Sequence, residues 1–229
     1  PKHKKNVMSC YSGHTASQAA ALWGMIGYDA VAMKNGMSAW TKNRDNIGAS
    51  PLTCEPNQYP VVTDGANPSQ FETPKLEWKK ASSVTQILLA QAQAIVDKPT
   101  VIQPKDLMDK LAVNEYYLID LRDKEHYDKG HIQGAVNIPF RTLAQADALK
   151  MIPADKQTVL ICYDGHAASQ AVRILNLAGY NATALKDGMS VWTNNPAVIG
   201  TLPIACNVVE NPVIALNALL SPGASAAAN

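Results

Sequence analysis

Apolar, β-branched runs alternate with amphipathic segments along most of the chain. Val7-Met8-Ser9 predicts a strand, Ser17 to Ile26 a helix stopped by Gly27, and Ala30 to Lys34 a second strand before a helical turn over Gly36 to Trp40. Val84, Ile87-Leu88-Leu89, Ala92 and Ile95-Val96 fall at helical spacing within Ser83 to Val96, so that helix has an apolar face that must pack on something. Pro104 opens a further helix in its first turn. Tyr116 to Asp120 reads as a continuous apolar strand, Asp123 to Lys129 as a charged helix, and Gly130 to Pro139 as a turn and a third strand. Thr158-Val159-Leu160-Ile161 is again strand-like, and Ser169 to Ala178 is an amphipathic helix stopped by Gly179. Strands alternating with helices imply a parallel sheet covered on both faces, with any site at the carboxyl ends of the strands. Residues 55–80, rich in Pro, Asn, Gln and Thr, read as an irregular linker.

Part of this pattern occurs twice. At an offset of 152, Cys10-Tyr11-Ser12-Gly13-His14-Thr15-Ala16 falls on Cys162-Tyr163-Asp164-Gly165-His166-Ala167-Ala168, and 26 of the 54 residues aligned without gaps are identical. A period this long marks duplicated domains rather than a solenoid. Pro1 aligns with Pro153, so the second copy carries an upstream part, back to about Lys80, with no counterpart before residue 1. The expected organisation is the C-terminal half of a first domain over 1–54, a linker over 55–80 and a complete domain over 81–229. A half sheet leaves an open edge. The expectation is therefore that an upstream segment, or a second copy of the molecule, completes the first domain.

Composition narrows the function classes. The chain has 229 residues, 47% hydrophobic and 17% charged, with a net charge of +1 and no basic cluster beyond Lys2-His3-Lys4-Lys5, which argues against nucleic acid as a partner. No apolar run approaches the ~20 residues that span a bilayer. Four cysteines without C-x-x-C spacing argue against a zinc site or a thioredoxin-like dithiol. Cys54 and Cys206 follow the last helix of each copy and read as buried thiols or, in an oxidising compartment, a disulfide. The low charge and the Ala- and Asn-rich texture, with the unusual Cys-Tyr-x-Gly-His loop, resemble exported bacterial proteins, so the expected location is periplasmic or otherwise exported.

The chemistry centres on Cys162, and equally on Cys10. Each stands where a buried strand ends and a short loop leads into a helix. The first N–H groups of a helix lack intrahelical partners and carry partial positive charge, so a thiolate, a persulfide or a departing oxyanion is stabilised there.

Leu118-Ile119-Asp120-Leu121-Arg122, Glu125, Gly130-His131-Ile132, Gly134-Ala135 and Asn137-Ile138-Pro139 resemble the first signature of rhodanese domains. The Cys162 loop, its helix and Leu185-Lys186-Asp187-Gly188-Met189-Ser190-Val191-Trp192 resemble the second. The resemblance covers about 100–192 in full and 1–40 for the second signature. It implies a five-stranded parallel α/β fold and a sulfurtransferase that moves sulfane sulfur from thiosulfate or polysulfide, through a cysteine persulfide, to a thiol, sulfite or cyanide, with no cofactor or metal. Cys162 and Cys10 would be the nucleophiles, the six residues after each would form the binding loop, and Asp120 and Arg122 would support the loop by hydrogen bonds and an ion pair. Glu125 and His131 read as structural, and Trp40, Trp192, Met37 and Met189 as packing over the last strand.

The chain departs from the family at Ala167 and Thr15, where many members carry an arginine, and Asp164 adds a negative charge to one loop. Both changes disfavour dianionic thiosulfate, with His166 and His14 as candidates for partial compensation. A sulfur carrier that delivers persulfide without turnover is the alternative function. A phosphatase or arsenate reductase of related architecture needs an arginine where this chain has Ala168 and Ala16, which argues against it.

Overall fold

The computed structural model describes residues 1–48, 56–76, 82–200 and 210–213. Cys54 and Cys206, and with them the expected thiols or disulfide, lie outside these residues. The strands are β1 (Asn6–Met8), β2 (Ala30–Ala32), β3 (Val101–Ile102), β4 (Tyr117–Asp120), β5 (Val136–Asn137), β6 (Thr158–Ile161) and β7 (Ala182–Leu185). The helices that frame the first copy are α1 (His14–Met25), α2 (Gly36–Trp40) and α3 (Arg44–Ile47). Further along come α4 (Val84–Ile95), α5 (Pro104–Lys110), α6 (Lys124–Lys129), α7 (Ala146–Leu149), α8 (His166–Leu177), α9 (Met189–Trp192) and α10 (Pro196–Ile199).

Five strands form a parallel sheet in the order β3-β7-β6-β4-β5. Alternation along its central strands divides the core. Ile119 and Leu121, with Leu160 and Cys162, face one cluster completed by Val172 and Leu175 of α8. Leu118, with Val159 and Ile161, faces the other, closed by Leu107, Met189, Trp192 and Ile199. All four residues of β6 are buried, as a central parallel strand covered on both sides requires.

The first copy repeats the site-bearing part of this arrangement. β1 and β2 pair in parallel with Asn6 opposite Ala30, as Thr158 stands opposite Ala182 between β6 and β7. Helices α1 and α8 are both 12 residues long and begin three residues earlier than their apolar periodicity predicts. The reason is the glycine before each: Gly13 (φ 90°) and Gly165 (φ 80°) are left-handed, so the chain turns directly from the cysteine loop into the helix.

The two copies exchange the segments that follow them. After the first, the Tyr59 N–H donates to the Trp192 carbonyl at 2.8 Å and the Trp192 indole donates to the Pro60 carbonyl at 3.0 Å. After the second, the Asn211 N–H donates to the Trp40 carbonyl at 3.0 Å and the Trp40 indole to the Pro212 carbonyl at 3.2 Å. These are equivalent bonds at the offset of 152. The packing around them is not equivalent. Trp192 is sealed, with the Tyr59 ring edge-on at 4.9 Å, whereas Trp40 keeps 38% of its surface exposed. Met189 is buried and Met37 half-buried, so the expected packing role holds in full only for the second copy.

Behind β4, Arg122 is fully buried and donates to both oxygens of buried Asp120, at 2.6 Å from Nη2 to Oδ2 and 3.0 Å from Nε to Oδ1. Its remaining donors reach the carbonyls of Gly130 (2.8 Å) and Val198. One ion pair therefore ties a strand end to the turn after α6 and to α10. Arg122→Met should lower stability by about 3–5 kcal/mol, measured by urea unfolding, because it strands the Asp120 carboxylate in the core.

Candidate functional site

At the end of β6, the Cys162 sulfur accepts from the Gly165 N–H at 3.1 Å and the Ala168 N–H at 3.4 Å. At the end of β1, the Cys10 sulfur accepts from the Gly13 N–H at 3.1 Å and the Ala16 N–H at 3.4 Å. The two cradles are the same to the precision of these distances. Each is held from behind by the helix that follows the next strand. Met189 and Ser190 N–H groups donate to the Cys162 and Tyr163 carbonyls, and those of Met37 and Ser38 to the Cys10 and Tyr11 carbonyls. The donors pointing at sulfur are backbone groups fixed before any reaction, an arrangement suited to holding an anion on that atom.

The surroundings differ. Cys162 is 1% exposed, and burial, then the charge of Asp164, pushes its thiol up to about 11, against the pull of the loop N–H groups. Cys10 is half-buried. The Tyr163 hydroxyl is placed by the Asp123 N–H (3.1 Å) and His126 Nδ1 (2.9 Å), while Tyr11 is 59% exposed.

The histidines of the loops do not stay in their own copy. His14 Nδ1 meets the Ser169 hydroxyl at 2.9 Å and its Nε2 meets Asp187 Oδ1 at 2.9 Å. In return, His166 Nδ1 meets the Ser17 hydroxyl at 3.2 Å and its Nε2 meets Asn35 Oδ1 at 3.0 Å. The rings stack at 5.5 Å across the contact between α1 and α8. Each ring also lies against the other loop's glycine: a Cβ on Gly165 would sit 2.3 Å from His14 Cε1, and one on Gly13 2.2 Å from His166 Cε1. Only glycine at these positions admits the crossing ring.

Lys34 crosses in the same sense and pairs with Asp164 at 3.0 Å. Burial opposes ionisation of Asp164, yet His166, Lys34 and the His166 N–H together hold its carboxyl below the usual carboxylate range. Burial is also what chiefly lowers the His166 imidazole, with Asp164 acting the other way. The second loop is therefore less negative overall than its own residues imply.

Among the predicted site residues, the structure brings the backbones of Gly165, Ala168, Gly13 and Ala16 to sulfur and stations Asp120 and Arg122 one strand away. It sends the His14 and His166 side chains to the interface between the copies. Ser17, Ser169, Asn35, Asp187 and Lys34 were not singled out. Their signal was present in the repeat, where serine meets serine, lysine meets lysine and asparagine meets aspartate. Among the described residues no group of histidine, cysteine and acidic side chains could hold a metal, and no helix is long and apolar enough to cross a membrane.

A rhodanese-like domain model matches residues 103–195. The thiosulfate sulfurtransferase PspE of Escherichia coli is 39% identical over 74 residues, which is 30% of this chain and 70% of that protein. The chain belongs to the rhodanese-like family. An HTH-type transcriptional regulator of Mycobacterium tuberculosis is 34% identical over 108 residues, 46% of this chain and 47% of the regulator. A probable adenylyltransferase/sulfurtransferase, MoeZ, of the same organism is 31% identical over 140 residues, 58% of this chain and 34% of that protein. The chain thus spans half or less of these two relatives.

Because the folded protein holds the Cys162 proton more tightly than the unfolded chain does, this group's contribution to stability falls as pH rises from the ordinary thiol range towards about 11. The same shift sets reactivity. Alkylation of Cys162 by iodoacetamide, followed by peptide mass spectrometry, should keep accelerating with pH beyond 9, the unperturbed value, towards about 11. Asp164→Asn should move that inflection to lower pH.

Proposed function

We propose that this protein is a sulfurtransferase in which Cys162, and by the same cradle Cys10, carries sulfane sulfur as a persulfide. The observation that carries the reading is the pair of backbone N–H groups aimed at each cysteine sulfur, in a chain of the rhodanese-like family. The thiolate attacks the outer sulfur of thiosulfate or a polysulfide. A cysteine–sulfur bond forms, the donor's S–S bond breaks, and sulfite or the shortened polysulfide leaves with the bonding pair. An acceptor thiolate, sulfite or cyanide then attacks the terminal sulfur and returns the cysteine as thiolate. Two displacements on one nucleophile give ping-pong kinetics.

The chain's own residues set the terms of each step. The loop N–H groups stabilise negative charge on sulfur without moving. Lys34 offsets Asp164 at the edge of the second loop, which eases approach of an anionic donor. The high proton affinity of Cys162 makes loss of its proton part of the cost of attack. A carrier that loads once and hands sulfur to a partner is a second reading, favoured by the burial of Cys162.

Intact mass after incubation with thiosulfate or polysulfide should show one added sulfur per active cysteine. Cys162→Ser should abolish loading of the peptide that spans position 162 while leaving the circular dichroism spectrum unchanged, and Cys10→Ser should do the same for its own peptide. Sulfur retained on either mutated peptide contradicts the assignment. Multiple turnover with thiosulfate and cyanide marks the enzyme, and a single loading that stalls marks the carrier.

A further inference from the structure

Two apolar grooves flank the contact between α1 and α8. Ala19, Leu22, Trp23, Met25, Ile26 and Leu177 line one wall of the first, of about 220 Å³, and α4 forms the other with Leu88, Leu89 and Ala92. Adding 152 to positions 19, 22, 23 and 26 gives Ala171, Ile174, Leu175 and Ala178, and subtracting it from 177 gives Met25, which lines both grooves. Those five residues line the second groove, of about 570 Å³, with Phe140 and Leu143 on its far wall. Among the described residues no helix takes the part of α4 there, and Phe140 and Met25 remain 40% and 43% exposed.

The correspondence continues into the sheet. Beyond α4, Thr100 and β3 lie along β7, where the Ala184 and Lys186 N–H groups donate to the Thr100 and Ile102 carbonyls, each at 2.9 Å. The Gln18 side chain of the other copy bonds the Thr100 hydroxyl at 2.9 Å. The counterparts are Ala32, Lys34 and Gln170. The Met33 N–H donates to the Met8 carbonyl of β1, so the alternating N–H groups of Ala32 and Lys34 face the opposite edge of β2. A cleft of about 380 Å³ lies there, lined by Ala30, Val31, Ala32, Lys34 and Gln170. Gln170 and Ala21 line the groove as well, so groove and cleft are one surface, continuous with the interface between the copies.

We propose that this surface docks a polypeptide of one pattern: an amphipathic helix in the second groove that runs, through a short connection, into a strand added in parallel to β2. The mate shows the pattern: the amphipathic α4 faces the same five positions, and the same three polar groups bond the threonine and strand that follow it. A lone helix would leave the β2 edge unpaired, and a lone strand would leave the apolar groove wet. Arg173, which donates to the Ile95 and Val96 carbonyls at the end of α4, has Ala21 as its counterpart, so the docked helix lacks that clamp and binds more weakly than α4 does. The proposal does not depend on the sulfur chemistry.

A fluorescein-labelled synthetic peptide with the sequence of residues 83–102 is the probe, titrated into the full chain and followed by anisotropy. Saturable binding is expected, weakened at least about tenfold by Ala144→Glu at the groove rim and by Ile174→Glu inside it. Near-UV circular dichroism confirms that each variant is folded, and the exposed position of Ala144 keeps one variant safe from a core defect. Hydrogen exchange at the Ala32 and Lys34 amides should slow when the peptide is present. Absence of saturable binding overturns the proposal. So does binding indifferent to both variants, or a photo-crosslink to Leu22 or Trp23, which would mean that the peptide displaces α4. Self-association of the chain alone, abolished by Ala144→Glu, would make the occupant a second copy and overturn it as well.

Discussion

The reciprocal histidine contact between α1 and α8 organises the molecule. Each histidine begins the helix that follows a cysteine loop, and each finds its two partners in the other copy: Ser169 and Asp187 for His14, Ser17 and Asn35 for His166. A loop that presents backbone N–H groups to sulfur must keep its shape when charge appears there, and short loops of this kind have few contacts of their own. Here the rigidity comes from outside. The crossing ring fills the space above the opposite glycine and bonds the turn beneath the opposite loop, so neither cradle can relax without disturbing the other.

That contact also makes the copies unequal. Asp187 gives His14 an anionic partner, where Asn35 gives His166 a neutral one. Asp164 stands in the second loop where Ser12 stands in the first, and Lys34 crosses to meet it. One cysteine is buried with a raised proton affinity and the other is half-open. A single geometry of donors is thus set in two electrostatic environments. Two cradles of the same backbone geometry differ in the charge around their sulfur atoms.

Beneath the loops, Arg122 does for the sheet what the histidines do for the interface. A planar guanidinium with several fixed donors joins Asp120, the Gly130 turn and α10, which one lysine could not span. The exchanged segments after each copy, clamped at Trp192 and Trp40, add a second tie between the halves. The cysteine loops at the strand ends therefore rest on three ties, and two of these consist of paired bonds that the offset of 152 carries into each other.

Much of this was legible in the chain. The β-branched runs marked the central strands because a parallel sheet buried on both faces leaves no polar alternation, and the repeat located both cysteine loops because the whole loop recurs. Asp120 and Arg122 were readable as a pair because they flank one strand end. The start of α1 and α8 was not, since a left-handed glycine lets a helix begin where periodicity is still absent. The direction of His14 and His166 was beyond local reading too: a histidine beside a cysteine suggests a ligand for the substrate, and only the approach of two helices far apart in sequence supplies better partners. Lys34 illustrates the general reason. The central strands, the bodies of the two long helices and the cysteine loops follow from neighbours along the chain, and the sequence by itself determined them. The charge felt by a site is a sum over neighbours in space, and that sum was decided only when α1 met α8.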